Sequence, residues 1–134
     1  MQKLLGLGLA MAVMAGAAFA KDVPVEVSTL DGAQITLHVQ PFLKDDELKV
    51  LRTVASNSQA LAVFVPGDKS HYSAMALAPA DGFLKDGAPT DTAIALSDFT
   101  DADAAAKAVL DACDAKRAKA GKPCVLVLEI GPKP

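Results

Sequence analysis

The chain has no tryptophan, one tyrosine, two histidines and two cysteines in 134 residues. Each scarcity excludes something. With aromatics at 4%, the interior has to be built from aliphatic side chains. The two histidines, His38 and His71, are distant in sequence, and no C-x-x-C pair occurs, so neither a zinc nor a redox motif is present. Basic residues number 13 against 16 acidic ones, with no basic cluster, which argues against nucleic acid or an anionic membrane surface as partner. The sequence also lacks a G-x-S-x-G elbow, a phosphate loop, a dinucleotide fingerprint and calcium-loop spacing, and no cofactor is expected. Beyond the N-terminus no second long apolar run follows, so no membrane span is expected in the remaining chain.

What is present begins with an export pattern. Lys3 gives a short basic start, an apolar run opens at Leu4, and Ala18-Phe19-Ala20 is an A-x-A cleavage site. Gly6, Gly8 and Gly16 interrupt the run, which is short for a bilayer. Residues 1–20 are therefore expected to be a signal peptide, and residues 21–134 a single domain beginning at Lys21 in the periplasm or outside the cell. No cysteine follows the cleavage site and no twin arginine precedes it, which excludes a lipoprotein and favours the general secretory route. In an oxidising compartment the two cysteines, Cys113 and Cys124, are most simply one disulfide. Closing such a loop contributes about 3 kcal/mol in the chain-entropy model.

Periodicity supplies the elements. Residues 23–28 alternate, and Pro24 near their start suits an edge strand. Asp31-Gly32 is a hairpin turn. In residues 33–39, Ile35, Leu37 and Val39 face one side and Gln34, Thr36 and His38 the other. A helix is expected over residues 45–56, capped by Asp45 or its neighbour, with Leu48, Leu51, Val54 and Ala55 inward and Asp46, Glu47, Lys49 and Arg52 in water. Residues 60–65 read as a buried strand, 72–78 and 92–96 as further strands, and 79–89 as a surface loop pinned by Phe83 and Leu84.

The clearest plan lies in residues 100–130. Thr100 and Asp103 form a capping-box pattern, and Ala102, Ala105, Ala106, Val109, Leu110 and Cys113 make one apolar stripe on a helix running to about Ala120. Gly121 and Pro123 stop it, and residues 124–130, apolar on both faces, read as a central strand. The expected fold is α+β: a single, mostly antiparallel sheet of about six strands with two helices on one face. The order strand, strand, helix, strand occurs twice. It is either a duplicated ββαβ unit or a recurrence of common supersecondary units.

Tyr72-Ser-Ala-Met-Ala-Leu-Ala-Pro79, a glycine-containing loop, a short strand, the Ala-rich helix from Ala105 to Cys113, and Cys124-Val-Leu-Val127 together resemble small exported bacterial domains of unknown function. The resemblance covers residues 72–130. Such domains often carry Asn or Trp in the strand before the helix, where this chain has Ala93-Ile94-Ala95-Leu96-Ser97. What the resemblance implies is export, the disulfide and the α+β class; it implies no catalytic residue.

Candidate chemistry is sparse. His71 stands beside Ser70, but that serine is on no strained elbow and no orienting acid is specified, so an exposed loop histidine is the simpler reading. His38 is expected on a solvated strand face. Asp45, Asp46 and Glu47, like Asp101 and Asp103, are explained as first-turn acids of helices. No residue is assigned a catalytic, cofactor-binding or metal role, and whether the protein is an enzyme stays open. The expected function is a non-enzymatic exported binding module that contacts a protein or envelope component through its loops or an exposed strand edge. The alternative is a small hydrolase using His71 with a nearby Ser or Asp.

Overall fold

The structure is a computed structural model that describes residues 23–134 apart from Lys69. The expected signal peptide, its cleavage site and the start at Lys21 lie outside the described residues. Strands β1 (Val25–Leu30) and β2 (Ala33–His38) form a hairpin. Its turn, Asp31-Gly32, takes positive φ at both positions (52° and 81°), the backbone twist that a two-residue hairpin needs. Asp86-Gly87 repeats the device between β4 (Leu84–Lys85) and β5 (Ala88–Pro89), a two-strand ribbon apart from the main sheet. The remaining elements are α1 (Asp45–Ser56), α2 (Ser58–Phe64), β3 (Tyr72–Leu77), β6 (Ile94–Phe99), α3 (Ala102–Lys116) and β7 (Val125–Pro132).

The main sheet has the order β1-β2-β7-β3-β6, and every neighbouring pair is antiparallel. With the ribbon, the described residues form an α+β fold with seven strands, five of them in one sheet. The last strand in the chain, β7, sits at the centre, as its two-sided apolar run requires.

The two sides of this sheet are built differently. On side A, Ile35, Leu37, Met75, Leu77, Leu128 and Ile130 pack with Leu51, Val54 and Leu61 of α1 and α2. On side B, Ala74, Ala76 and Ala78 pack with Ala105, Val109 and Cys113 of α3. The expectation of two helices on one face is therefore corrected: α1 and α2 cover side A and α3 covers side B. The reason lies in β3, whose alternate residues Met75 and Leu77, and Ala74 and Ala76, are all buried. A strand buried on both faces needs cover on both.

Residues 60–65 are also not a strand. The Asn57 side chain accepts hydrogen bonds from the backbone N–H groups of Gln59 and Ala60, both at 3.0 Å, and so starts α2. Leu61 and Val65 reach the core while Val63 is 75% exposed, which is a helical spacing. A six-residue apolar run does not by itself distinguish a strand from a helical turn. The first half thus ends in two helices, and the two halves do not repeat one ββαβ unit.

Helix α3 is capped one residue later than expected. Asp101 Oδ1 accepts from the Ala104 N–H at 2.7 Å, and the helix ends at Lys116. Cys113 and Cys124 are bonded, with Cα atoms 6.1 Å apart. Beside them Asp114 Oδ1 accepts from the Cys124 N–H at 3.0 Å and from Arg117 Nε at 2.6 Å. These two donors, the backbone one first, hold the Asp114 carboxyl below the ordinary aspartate range. Helix end and strand start are thereby joined twice.

Glu47 is the largest departure among the acidic residues. It was expected in water and is 3% exposed. Its Oε1 accepts from the Lys44 N–H at 2.9 Å, and its Oε2 accepts from Phe83 and Leu84 N–H groups, both at 2.8 Å. Burial pushes its pKa up, but the three backbone donors outweigh burial and leave it lowered. The carboxylate thus ties the start of α1 to the loop that carries Phe83, which is itself fully buried against Phe64.

Candidate binding face

Helix α3 covers only the β7-β3-β6 part of side B. Among the described residues, no helix covers the part formed by β1, β2 and the near edge of β7. Register identifies its side chains, because directly opposed residues share a face. Val25 pairs with His38, Val27 with Thr36, and Thr29 with Gln34; Thr36 in turn pairs with Glu129, and Gln34 with Gly131. Glu129 is opposite Ala74, which is under α3, so all of these point to side B.

Within this area His38 Nε2 lies 2.7 Å from Glu129 Oε2, a contact across neighbouring strands in a half-buried setting. A shallow cavity of about 230 Å³ opens next to it, lined by Gln34, Thr36, Tyr72, Glu129 and Gly131, with Ala102 at the α3 end. Gly131 is needed there: a Cβ at that position would stand 2.6 Å from two carbons of the Tyr72 ring. The absence of a side chain lets the only tyrosine lie against the β7 backbone. The result is an amphipathic surface, with a row of hydrogen-bonding groups beside an apolar strip of Val25 and Val27.

That apolar strip is a conflict between local pattern and register. In residues 23–28 the valines are the apolar set and should face the core. The two-residue turn at Asp31-Gly32, with Ile35 and Leu37 buried, instead places Ser28 opposite Ile35 and Glu26 opposite Leu37. The polar set of β1 therefore faces side A, where Ser28 Oγ donates to the Ala55 carbonyl at 3.1 Å and Glu26 accepts twice from Arg52, at 3.0 and 2.8 Å. Val25 and Val27 are left 50% and 59% exposed. The alternation in the sequence was visible, but its outward direction was not.

The structure places His71, singled out for chemistry, beside two carboxylates and leaves Ser70 turned away from it. His71 Nδ1 is 4.0 Å from Asp68 Oδ2 and 3.9 Å from Asp98 Oδ1, beyond hydrogen-bond reach, and its side chain is half exposed. Ser70 Oγ donates to Asp68 Oδ1 at 2.8 Å, not to His71. His38 sits on the polar face of β2 as expected, and its partner Glu129 was not singled out from the sequence. Asp101 caps α3, and Asp81 Oδ2 accepts from the Thr92 hydroxyl at 3.0 Å, which steadies the surface loop. Among the described residues no group of three or more His, Cys, Asp or Glu side chains is placed to hold a metal ion. Among the same residues, no helix is long and apolar enough to cross a membrane.

Comparison with family models, curated proteins and solved structures finds no match to this chain.

Proposed function

We propose that the protein is an exported, periplasmic or secreted binding domain, and that it meets its partner through the open part of side B. The observation that carries this reading is the outward placement of Val25 and Val27 beside the polar row of Gln34, Thr36, His38 and Glu129. Sequences usually agree with their fold at every level, and a local pattern turned to solvent marks a place kept for another purpose. An exposed apolar strip with hydrogen-bonding groups alongside suits a protein or envelope component that offers the matching pair. The disulfide and the A-x-A pattern support an oxidising compartment. The reading as a small hydrolase using His71 with a nearby Ser or Asp has less support, because Ser70 is engaged by Asp68 and the carboxylates of Asp68 and Asp98 stand 4.0 and 3.9 Å from His71 Nδ1.

Photo-crosslinking in intact cells tests this. A photoreactive residue replacing Thr36 is expected to give a discrete adduct, whereas one replacing the exposed Val63 on α2 gives none. Equal labelling at both positions, or none at Thr36, would count against the open face as the binding surface.

A further inference from the structure

Among the described residues, no strand pairs with the outer edge of β1. Its backbone groups can be assigned by parity. The Val39 N–H donates to the Pro24 carbonyl at 2.8 Å, and in antiparallel pairs hydrogen-bonded positions alternate with non-bonded ones. Glu26, Ser28 and Leu30 therefore bond inward to β2. Val25, Val27 and Thr29 turn their N–H and C=O groups outward, and two of them also carry exposed valine side chains.

We infer that this edge is occupied by β1 of a second copy of the chain. Outward groups must meet outward groups, so an antiparallel two-fold can be centred on Glu26, Val27 or Ser28. Centred on Val27, the partners across the axis are Val27 with its own copy, Val25 with Thr29, Glu26 with Ser28, and Pro24 with Leu30. On side B every pair is β-branched, and on side A no like charges are opposed. The β-branched pairs stabilise a sheet where like charges destabilise it. Centring on Glu26 instead sets the two carboxylates directly opposite each other. Centring on Ser28 sets Glu26 against an apolar Leu30. The bidentate contact from Arg52 also keeps the charge of Glu26 compensated within each copy. The edge is thus complementary to itself in one register.

The consequence bears on the proposed function, on which this inference rests in part. Pairing β1 with its copy joins the two open areas of side B into one floor of six strands, β7-β2-β1 and their counterparts, walled at each side by α3. With strands ~4.8 Å apart, that floor spans roughly 24 Å between the two β7 strands.

Sedimentation velocity and cysteine crosslinking test the pairing. The purified protein is expected to run as two copies, and Val27→Lys, which puts a cation on the axis, should raise the dimer dissociation constant by about tenfold or more while leaving the circular dichroism spectrum unchanged. Under oxidising conditions Val27→Cys should crosslink to itself, the similarly exposed Val25→Cys should not, and a mixture of Val25→Cys and Thr29→Cys chains should crosslink. A monomer at millimolar concentration would overturn the inference, and so would a dimer that Val27→Lys leaves intact. Crosslinking of Val25→Cys chains to Val27→Cys chains would overturn the register, since it belongs to the axis at Glu26. A monomer that still gives an adduct at position 36 would remove the second copy and leave the binding reading standing.

Discussion

The two sides of the sheet solve the same problem with different material. Side A is covered by two helices and filled with long aliphatic chains and Phe83. Side B is covered by one helix seated on alanines, and among the described residues no helix covers its β1-β2 part. Small side chains let α3 come close, but an alanine buries little apolar area, and stabilisation follows area at roughly 25 cal/mol per Å². The disulfide and the Asp114 contacts lie on the weak side, where a helix seated on methyl groups needs another restraint. Side A holds the larger aliphatic core, and side B, where the proposed contact surface lies, has its helix restrained by a covalent tie.

The sharpest way to break this comparison is to remove volume from side A. Leu128 lies fully buried on the central strand, and Leu128→Ala should cost about 2–5 kcal/mol, read from the urea midpoint. A loss under 1 kcal/mol would mean that side A is not the main core. Replacing both Cys113 and Cys124 by Ala should cost about 3 kcal/mol, and the loss should be local. Hydrogen exchange is expected to quicken in α3 before α1. Equal quickening in both helices would erase the distinction between the two sides.

Glu47→Gln removes an ionised acceptor from three backbone donors and should cost about 1–3 kcal/mol at neutral pH. The pH dependence has a definite sign. Since the folded pKa of Glu47 is lowered, its contribution is complete above the ordinary glutamate range, about pH 4.3 to 4.5, and is lost as the pH falls through the lower folded value. Urea midpoints of wild type and Glu47→Gln should therefore converge in acid, and a constant gap would remove this carboxylate as the linkage between α1 and its loop. The smallest effect is expected on the bare part of side B. Thr36→Ala should change stability by no more than about 0.5 kcal/mol while weakening partner capture, which separates binding from folding.

Where the reading of the sequence succeeded, the signal was local. The Asp31-Gly32 turn, the two-faced alternation of β2, the edge position of β1, the cysteine pair and the central place of β7 each depend on a few adjacent residues or on one chemical preference. Where it failed, the deciding contact was remote. Glu47 looks like any first-turn acid until Phe83 and Leu84, 36 and 37 residues away, bring it their N–H groups. At residues 60–65 the deciding contact was local instead: Asn57 accepts the N–H groups of Gln59 and Ala60 and starts a helix where a six-residue apolar run reads equally well as a strand.

The candidate face divides in the same way. By itself the sequence determined the α+β class, the hairpin, the disulfide partners and the polar row Gln34, Thr36 and His38, because alternation, turn chemistry and thiol scarcity are properties of the chain. Only the tertiary structure decided that α3 lies opposite α1, that Glu129 comes beside His38, and that the valines of β1 face outward. The physical reason is register. One two-residue turn, together with the burial of Ile35 and Leu37, fixes which face of β1 meets the core, and a six-residue strand has too little apolar area of its own to reverse that choice.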